Sequence, residues 1–181
     1  MSKTIFALAS GAGRCGVSIV RLSGPHCVSV YHRMTKKTTE PPARLLHPVK
    51  LYSPNTDHPL DNAMAVLFRA PKSFTGEDVL ELHLHGAPII VSQMYHELAQ
   101  CDGVRLARPG EFSERAFHTG KLGLQDVEGL ADLLAAETDL QRRQALWLLN
   151  GGARMRVEEW RQRLIDALAA VEAYIDFSED E

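Results

Sequence analysis

Residues 79–85, VLELHLH, alternate without a break. Successive side chains of an extended strand point to opposite faces. Leu80, Leu82 and Leu84 therefore share one face, while Val79, Glu81, His83 and His85 share the other. A chain with this segment has to build a sheet that is covered on its leucine side. The ionisable side stays open to three readings. One is a metal set, with H-x-H supplying two ligands and Glu81 a third. Another is a carboxylate in a small-molecule pocket, with the histidines as polar lining. The last is a solvated sheet face, the usual fate of such alternation. The other histidines and cysteines are scattered, so no metal ligand is assigned.

A second motif points elsewhere at first sight. Gly11, Gly13 and Gly16 stand in the spacing G-x-G-x-x-G. In dinucleotide-binding proteins a strand precedes this pattern and a helix, whose N-terminus receives the pyrophosphate, follows it. Here VSIVRLSG follows, β-branched and alternating, and it reaches Ser23-Gly24-Pro25 within eight residues. A strand is expected where the fingerprint needs a helix. The loop is read as a glycine-rich hairpin turn between TIFALAS and GVSIVRLSG.

The remaining first two-thirds also mixes short strands with helices. PHCVSVYHRM suits a helix with Pro25 at its start. LLHPVKLYS and AMAVLFRA suit strands separated by the turn-rich PNTDHPLDN, and APIIVSQMYHELAQ suits an apolar-faced helix ending near Asp102-Gly103. In RPGEFSERAFHTGKL, residues 108–122, Glu111 and Arg115 are one helical turn apart and can pair. Gly120 is expected to stop that helix as its left-handed residue, with Lys121 just beyond. Pattern alone suits a well-capped surface helix.

Beyond residue 120 the texture becomes helical. Leu124, Val127, Leu130, Ala131 and Leu134 form one stripe, and Thr138 is placed to cap a helix that runs to Asn150-Gly151-Gly152. Val157, Trp160, Leu164, Leu168, Val171 and Tyr174 then recur every three or four residues, up to the acidic IDFSEDE. Such a helix wants partner helices, and the helical part is expected to be truncated. Charge divides along the same line. Residues 1–120 hold 13 Lys+Arg and 10 Asp+Glu, against 7 and 13 in residues 121–181. No strongly basic patch marks a nucleic-acid surface.

With 181 residues, 45% of them hydrophobic, the chain suits one domain plus part of another. No apolar run approaches the ~20 residues of a membrane span. The opening residues lack a signal or transit pattern. Cys15, Cys27 and Cys101 are odd in number and in no metal spacing, which suits reduced thiols. Neither a G-x-S-x-G elbow nor a GxxxxGK[ST] loop is present.

Four stretches together carry a resemblance: TIFALASGAGRCGVSIVRLSGP, SFTGEDVLELHLHG, RLARPGEFSERAFHTGKLGLQDVEGLADLLAAET and VEAYIDFSEDE. The chain resembles, from Thr4 to Glu181, the amino-terminal part of the MnmE (TrmE) family of tRNA-modification GTPases. GRCGV and RRQAL look more like its mitochondrial branch. The resemblance implies an α+β, aminomethyltransferase-like tetrahydrofolate-binding and dimerisation domain over residues 1–119. Residues 120–181 would be the first long helices of a central helical domain, truncated before the G domain.

It further implies a 5-formyl-tetrahydrofolate-type one-carbon donor, with Arg21, Glu81 and Lys121 at the positions of the family's folate contacts. GTP, Mg and K would belong to the missing G domain, so this chain is not expected to hydrolyse GTP, and no catalytic residue is assigned. Implied partners are a second copy of the chain, a flavoprotein of the MnmG type and tRNA modified at its wobble uridine. The implied compartment is the mitochondrial matrix in a eukaryote and the cytoplasm otherwise. Two alternatives stand beside this: a free-standing folate-dependent one-carbon transferase, and a dimerisation scaffold that binds no ligand.

Overall fold

The computed structural model describes residues 3–177, so the closing SEDE of the acidic stretch lies outside the described residues. The chain forms two compact units, residues 1–121 and 122–181. The first contains β1 (Thr4–Leu8), β2 (Val17–Ser23), α1 (Cys27–Thr35), β3 (His47–Tyr52), β4 (Pro59–Phe68), β5 (Val79–His85), α2 (Pro88–Ala99), β6 (Val104–Leu106) and α3 (Glu111–His118). Its six strands make one sheet in the order β3-β4-β5-β2-β1-β6. Only β1 and β6 pair in parallel. With strands and helices segregated in this way, the unit is α+β.

The glycine loop joins β1 to β2 as a hairpin, with Ile5 opposite Ser23 and Leu8 opposite Val20. No helix starts from it, so the N-terminus that a pyrophosphate needs is missing from the motif. The strict alternation of β5 does what period 2 demands. Leu80, Leu82 and Leu84 are buried, beside Val20 and Leu22 of β2 and Ala65 and Leu67 of β4. Helices α1 and α2 cover this face with Val30, Tyr31, Met34, Met94 and Leu98. Each large side chain buried there contributes about 1.5–3 kcal/mol.

Two elements differ from the sequence expectation. PNTDHPLDN is not turn throughout, because β4 already begins at Pro59. Proline is tolerated as the first residue of a strand, where its missing N–H breaks no ladder. Asp61, inside the former turn, has its carboxylate beside His85, accepting from that residue's backbone N–H at 2.8 Å. The second difference is β6, three residues long. A segment that short shows no period; its partner β1, not its own pattern, makes it a strand.

Burial also sorts the thiols. Cys27 and Cys101 are buried and Cys15 is exposed. Burial pushes the Cys27 thiol up to about 12 and raises that of Cys101 as well. Since the thiolate is the reactive form, iodoacetamide at pH 8 should add once per native chain, at Cys15, as read by peptide mass mapping. Adducts forming on Cys27 or Cys101 at a comparable rate would contradict this burial.

The second unit contains α4 (Leu124–Ala135), α5 (Asp139–Leu149) and α6 (Gly152–Phe177). Thr138 caps α5 as expected, in a reciprocal capping box with Gln141. The α4 stripe forms on one face of the helix, but that face is not the one buried in this unit. Leu124 and Leu134 are exposed, and the buried residues of α4 are Asp126 and Gly129. Gly129 lets α4 approach α5, since a Cβ there would lie 2.6 Å from the backbone nitrogen of Leu149. Gly129→Ala must push the two helices apart, and urea melts followed by circular dichroism should show a loss of about 1–3 kcal/mol in this unit. On α6, Trp160, Leu164, Leu168, Val171 and Tyr174 are all exposed. Among the described residues no helix is long and apolar enough to cross a membrane.

Candidate ligand-binding site

The face of the sheet opposite the leucines is half-buried and carries the polar groups. Strand register sets its pattern. Arg21 on β2 lies directly opposite Glu81 on β5, and Ile19 opposite His83. On the other side of β5, Val66 and Met64 of β4 stand opposite Glu81 and His83. The two side chains that the sequence singles out on β2 and β5 therefore meet. The Arg21 guanidinium donates from Nε to Glu81 Oε1 at 2.8 Å, and Nη2 reaches the same oxygen at 2.8 Å.

Both Arg21 contacts fall on Oε1. Oε2 accepts no hydrogen bond among the described residues and lies 3.5 Å from His83 Nε2. That ring nitrogen is itself buried without a hydrogen-bond partner. His85, in contrast, turns to Asp61, with Nδ1 2.6 Å from Oδ1. The two histidines thus serve different neighbours. Among the described residues no group of three His, Cys, Asp or Glu side chains could hold a metal ion.

Two phenyl rings flank the arginine. Arg21 Cζ lies 5.5 Å from the centroid of Phe74 and 5.9 Å from that of Phe112, within cation–π range. Sequence reasoning missed both phenylalanines. Each sits in a loop or short helix without period, and only the folded loop brings it to β2.

That loop, residues 69–78, is tied down closely. Ser23 Oγ and Thr75 Oγ1 are 2.7 Å apart, and Ser23 Oγ donates to Glu77 Oε2 at 2.8 Å. Asp78 accepts from the Ala70 backbone N–H at 2.9 Å and from the Arg69 side chain. Thr119 Oγ1 donates to the Thr75 carbonyl at 2.8 Å. Gly76 makes this approach feasible: its φ is 76°, and a Cβ there would stand 2.8 Å from Thr119 Oγ1.

The helix carrying Phe112, α3, lies at the surface but is anchored by one face, where Glu111 and Ala116 are buried. Glu111 is 4% exposed. It accepts from Arg105 through both of that residue's terminal nitrogens and from the Arg108 backbone N–H at 2.9 Å. The expected one-turn pair with Arg115 also forms, at 3.4 Å. Arg115 then bridges to Glu77 at 2.7 Å and to the Lys3 carbonyl at 2.8 Å. Hydrogen bonding from Arg105 first, and from Arg108 N–H after it, holds the Glu111 carboxyl well below its usual 4.5, at about 2.

Lys121 follows α3. Gly120 ends the helix region with φ 72°, as expected. Lys121 makes no hydrogen bond or ion pair with Arg21 or Glu81 among the described residues. It lines a neighbouring cleft with Phe74, the ring that flanks Arg21. On the other side, His83, two residues beyond Glu81, lines an open cavity of about 840 Å³ that also reaches Met64 and Val17. Arg21 and Glu81 line neither cavity themselves, but each cavity is lined by a close neighbour of the pair, Phe74 or His83.

Comparisons with known proteins agree with this architecture. The family profile described as GTP-binding protein TrmE N-terminus matches residues 4–121. That described as MnmE helical domain matches residues 124–181. The chain is 46% identical over 179 residues to the tRNA modification GTPase MnmE of Parvibaculum lavamentivorans, covering 99% of this chain and 41% of that protein. It is 48% identical over 178 residues to the 5-taurinomethyluridine-[tRNA] synthase subunit GTPB3, mitochondrial, of Rattus norvegicus, covering 98% and 36%. The Homo sapiens protein of the same name gives the same identity and shares. The chain therefore spans about two-fifths of the length of the curated relatives it matches. Bacterial and mitochondrial relatives are almost equally similar, so identity does not separate the two branches.

Proposed function

The chain belongs to the TrmE (MnmE) family, spanning its amino-terminal domain and at least part of its helical domain, and on that premise we propose that its first unit binds a reduced folate of the 5-formyl-tetrahydrofolate type. The observation that carries the proposal is the Arg21–Glu81 pair on the open face of the sheet, with Oε2 of Glu81 still available to accept.

The residues fit the chemistry of such a ligand. A pterin ring presents adjacent N–H donors, and a carboxylate has about four acceptor positions, of which Arg21 uses only those on Oε1. Glu81 can take the ring's donors, a charge-assisted geometry. Phe74 and Phe112 offer flat apolar walls of the kind that heteroaromatic ligands need. Lys121, in the cleft behind Phe74, supplies a cation for the glutamate end of the folate, and Arg21 adds its own charge close to the ring. When bound, the folate would supply a one-carbon unit; the chain's own residues bind and orient it.

Within the whole protein this unit would serve modification of the wobble uridine of tRNAs, together with a flavoprotein of the MnmG type. GTP hydrolysis, with Mg and K, would be carried by a G domain outside this sequence. We further propose that two copies of the first unit associate. In a eukaryotic source the protein would work in the mitochondrial matrix, and in a bacterial one in the cytoplasm.

Calorimetric titration with 5-formyl-tetrahydrofolate, alongside mass measurement by light scattering, tests the proposal. Saturable binding by a dimeric species is the expected result. A dimer that binds no folate would leave only a scaffold. Turnover of a small one-carbon acceptor by this chain alone would favour the free-standing transferase.

A further inference from the structure

The cleft that holds Lys121 has more positive charge than a folate with one glutamate needs. It has a volume of about 440 Å³ and is lined by Arg44, Phe68, Lys72, Ser73, Phe74 and Lys121. Three of these six residues are cations and none is an acid. Among the described residues neither the Lys72 nor the Lys121 ammonium group has a hydrogen-bond or ion-pair partner. Arg44 donates from Nη2 to the Lys72 carbonyl at 2.7 Å and lies 6.0 Å from the Phe68 ring centroid, with no carboxylate on it.

Several arginines of this unit are matched by acids. Arg69 has Glu40 and Asp78, Arg105 has Glu111, and Arg115 has Glu77 and Glu111. Arg44, Lys72 and Lys121 have no such match, and the three share one cleft. Arg44 is moreover held at a φ of 61°, uncommon for a residue with a side chain. Its backbone N–H is fixed on the Leu67 carbonyl at 2.7 Å. A cleft lined by one sign of charge concentrates anions of the other.

The cleft and the Arg21–Glu81 pair share Phe74, whose ring centroid lies 5.5 Å from Arg21 Cζ and which also lines the cleft. We propose that Arg44 and Lys72 extend the site beyond Lys121 into a subsite for a γ-linked polyglutamate tail, so that the ligand class is polyglutamylated reduced folate. Each added γ-glutamyl residue brings one carboxylate. Lys121 meets the first, and Arg44 and Lys72 meet those that follow. The planar guanidinium of Arg44 suits a carboxylate's two oxygens. Three cations in one small cleft suit a short acidic chain.

The inference rests on the folate reading, and its test separates the two. Affinities of the monoglutamyl and triglutamyl forms of 5-formyl-tetrahydrofolate are measured by calorimetry on the 181-residue chain, on Arg44→Ala/Lys72→Ala, and on Lys72→Glu alone. The single variant guards against loss of the Arg44–Lys72 backbone contact, because the Lys72 ammonium group makes no contact of its own. The native chain is expected to bind the triglutamyl form about tenfold tighter than the monoglutamyl form. In both variants that ratio should fall to about one. Equal affinity of the two forms in the native chain overturns the subsite while the folate site stands. So does an unchanged ratio in the variants, including the case where they weaken tRNA binding instead. If the native chain binds neither form, the folate reading falls and the subsite falls with it.

Discussion

Glu81→Ala is expected to lower affinity for 5-formyl-tetrahydrofolate at least about 30-fold while the chain stays folded. Among the described residues Glu81 is the acid that pairs with Arg21, and its free Oε2 is the acceptor offered to the ring's N–H donors. Removing one partner of a desolvated, hydrogen-bonded charge contact costs roughly 2–5 kcal/mol of binding, which is about 30-fold to several thousand-fold. Fold stability should respond far less. Arg21 and Glu81 are partly solvated, with side chains 28% and 15% exposed, and a pair of that kind is worth about 1 kcal/mol or less. Calorimetry for binding and a thermal melt for folding read the two effects separately. Folate affinity unchanged in a folded Glu81→Ala chain would remove Glu81 from the site.

The largest expected effect on stability belongs to Glu111. Its carboxylate is held at about 2 in the fold against an ordinary 4.5, and each unit of such a difference is worth about 1.4 kcal/mol. Glu111→Gln should therefore cost about 3 kcal/mol at pH 7, roughly 10 °C in melting temperature. The sign with pH follows from the lowered value. A carboxyl bound more tightly as its anion stabilises the fold fully above about pH 4.5 and progressively less as pH falls towards about 2. The gap between native and variant chains, measured by urea unfolding, should close over that window. Arg105, Arg108 and Arg115 remain charged throughout, so Glu111 dominates the change within this cluster. A gap that persists undiminished at pH 2.5 would mean that packing, and not ionic pairing, ties α3 down. The consequence extends to the ligand, because α3 carries Phe112 beside Arg21.

What the sequence revealed depended on period and on pairing distance. β5 was legible because strict alternation admits one arrangement, and α5 because Thr138 and Gln141 form a cap within three residues. The three proposed ligand contacts came from matching family positions, not from any local pattern. Folding supplied the link between two of them, since Arg21 and Glu81 are sixty residues apart and only the β2–β5 register makes them neighbours. Phe74, Arg44 and Lys72 were silent. They lie in loops, and the shape of the loop that carries Phe74 and Lys72 comes from hydrogen bonds by Ser23, Thr119 and Asp78 that no short window contains. The α4 stripe left its covering open for a related reason. Periodicity identifies an apolar face but not what covers it, and α5 packs over Gly129 instead.

The most direct measurement is to locate the folate on the chain by backbone amide NMR during a titration with 5-formyl-tetrahydrofolate. The account predicts saturable shift changes at residues 19–23 of β2, 72–74 of the preceding loop, 79–85 of β5, and Lys121. Shifts confined to the glycine loop or to residues 122–177, with those four segments unmoved, would contradict it.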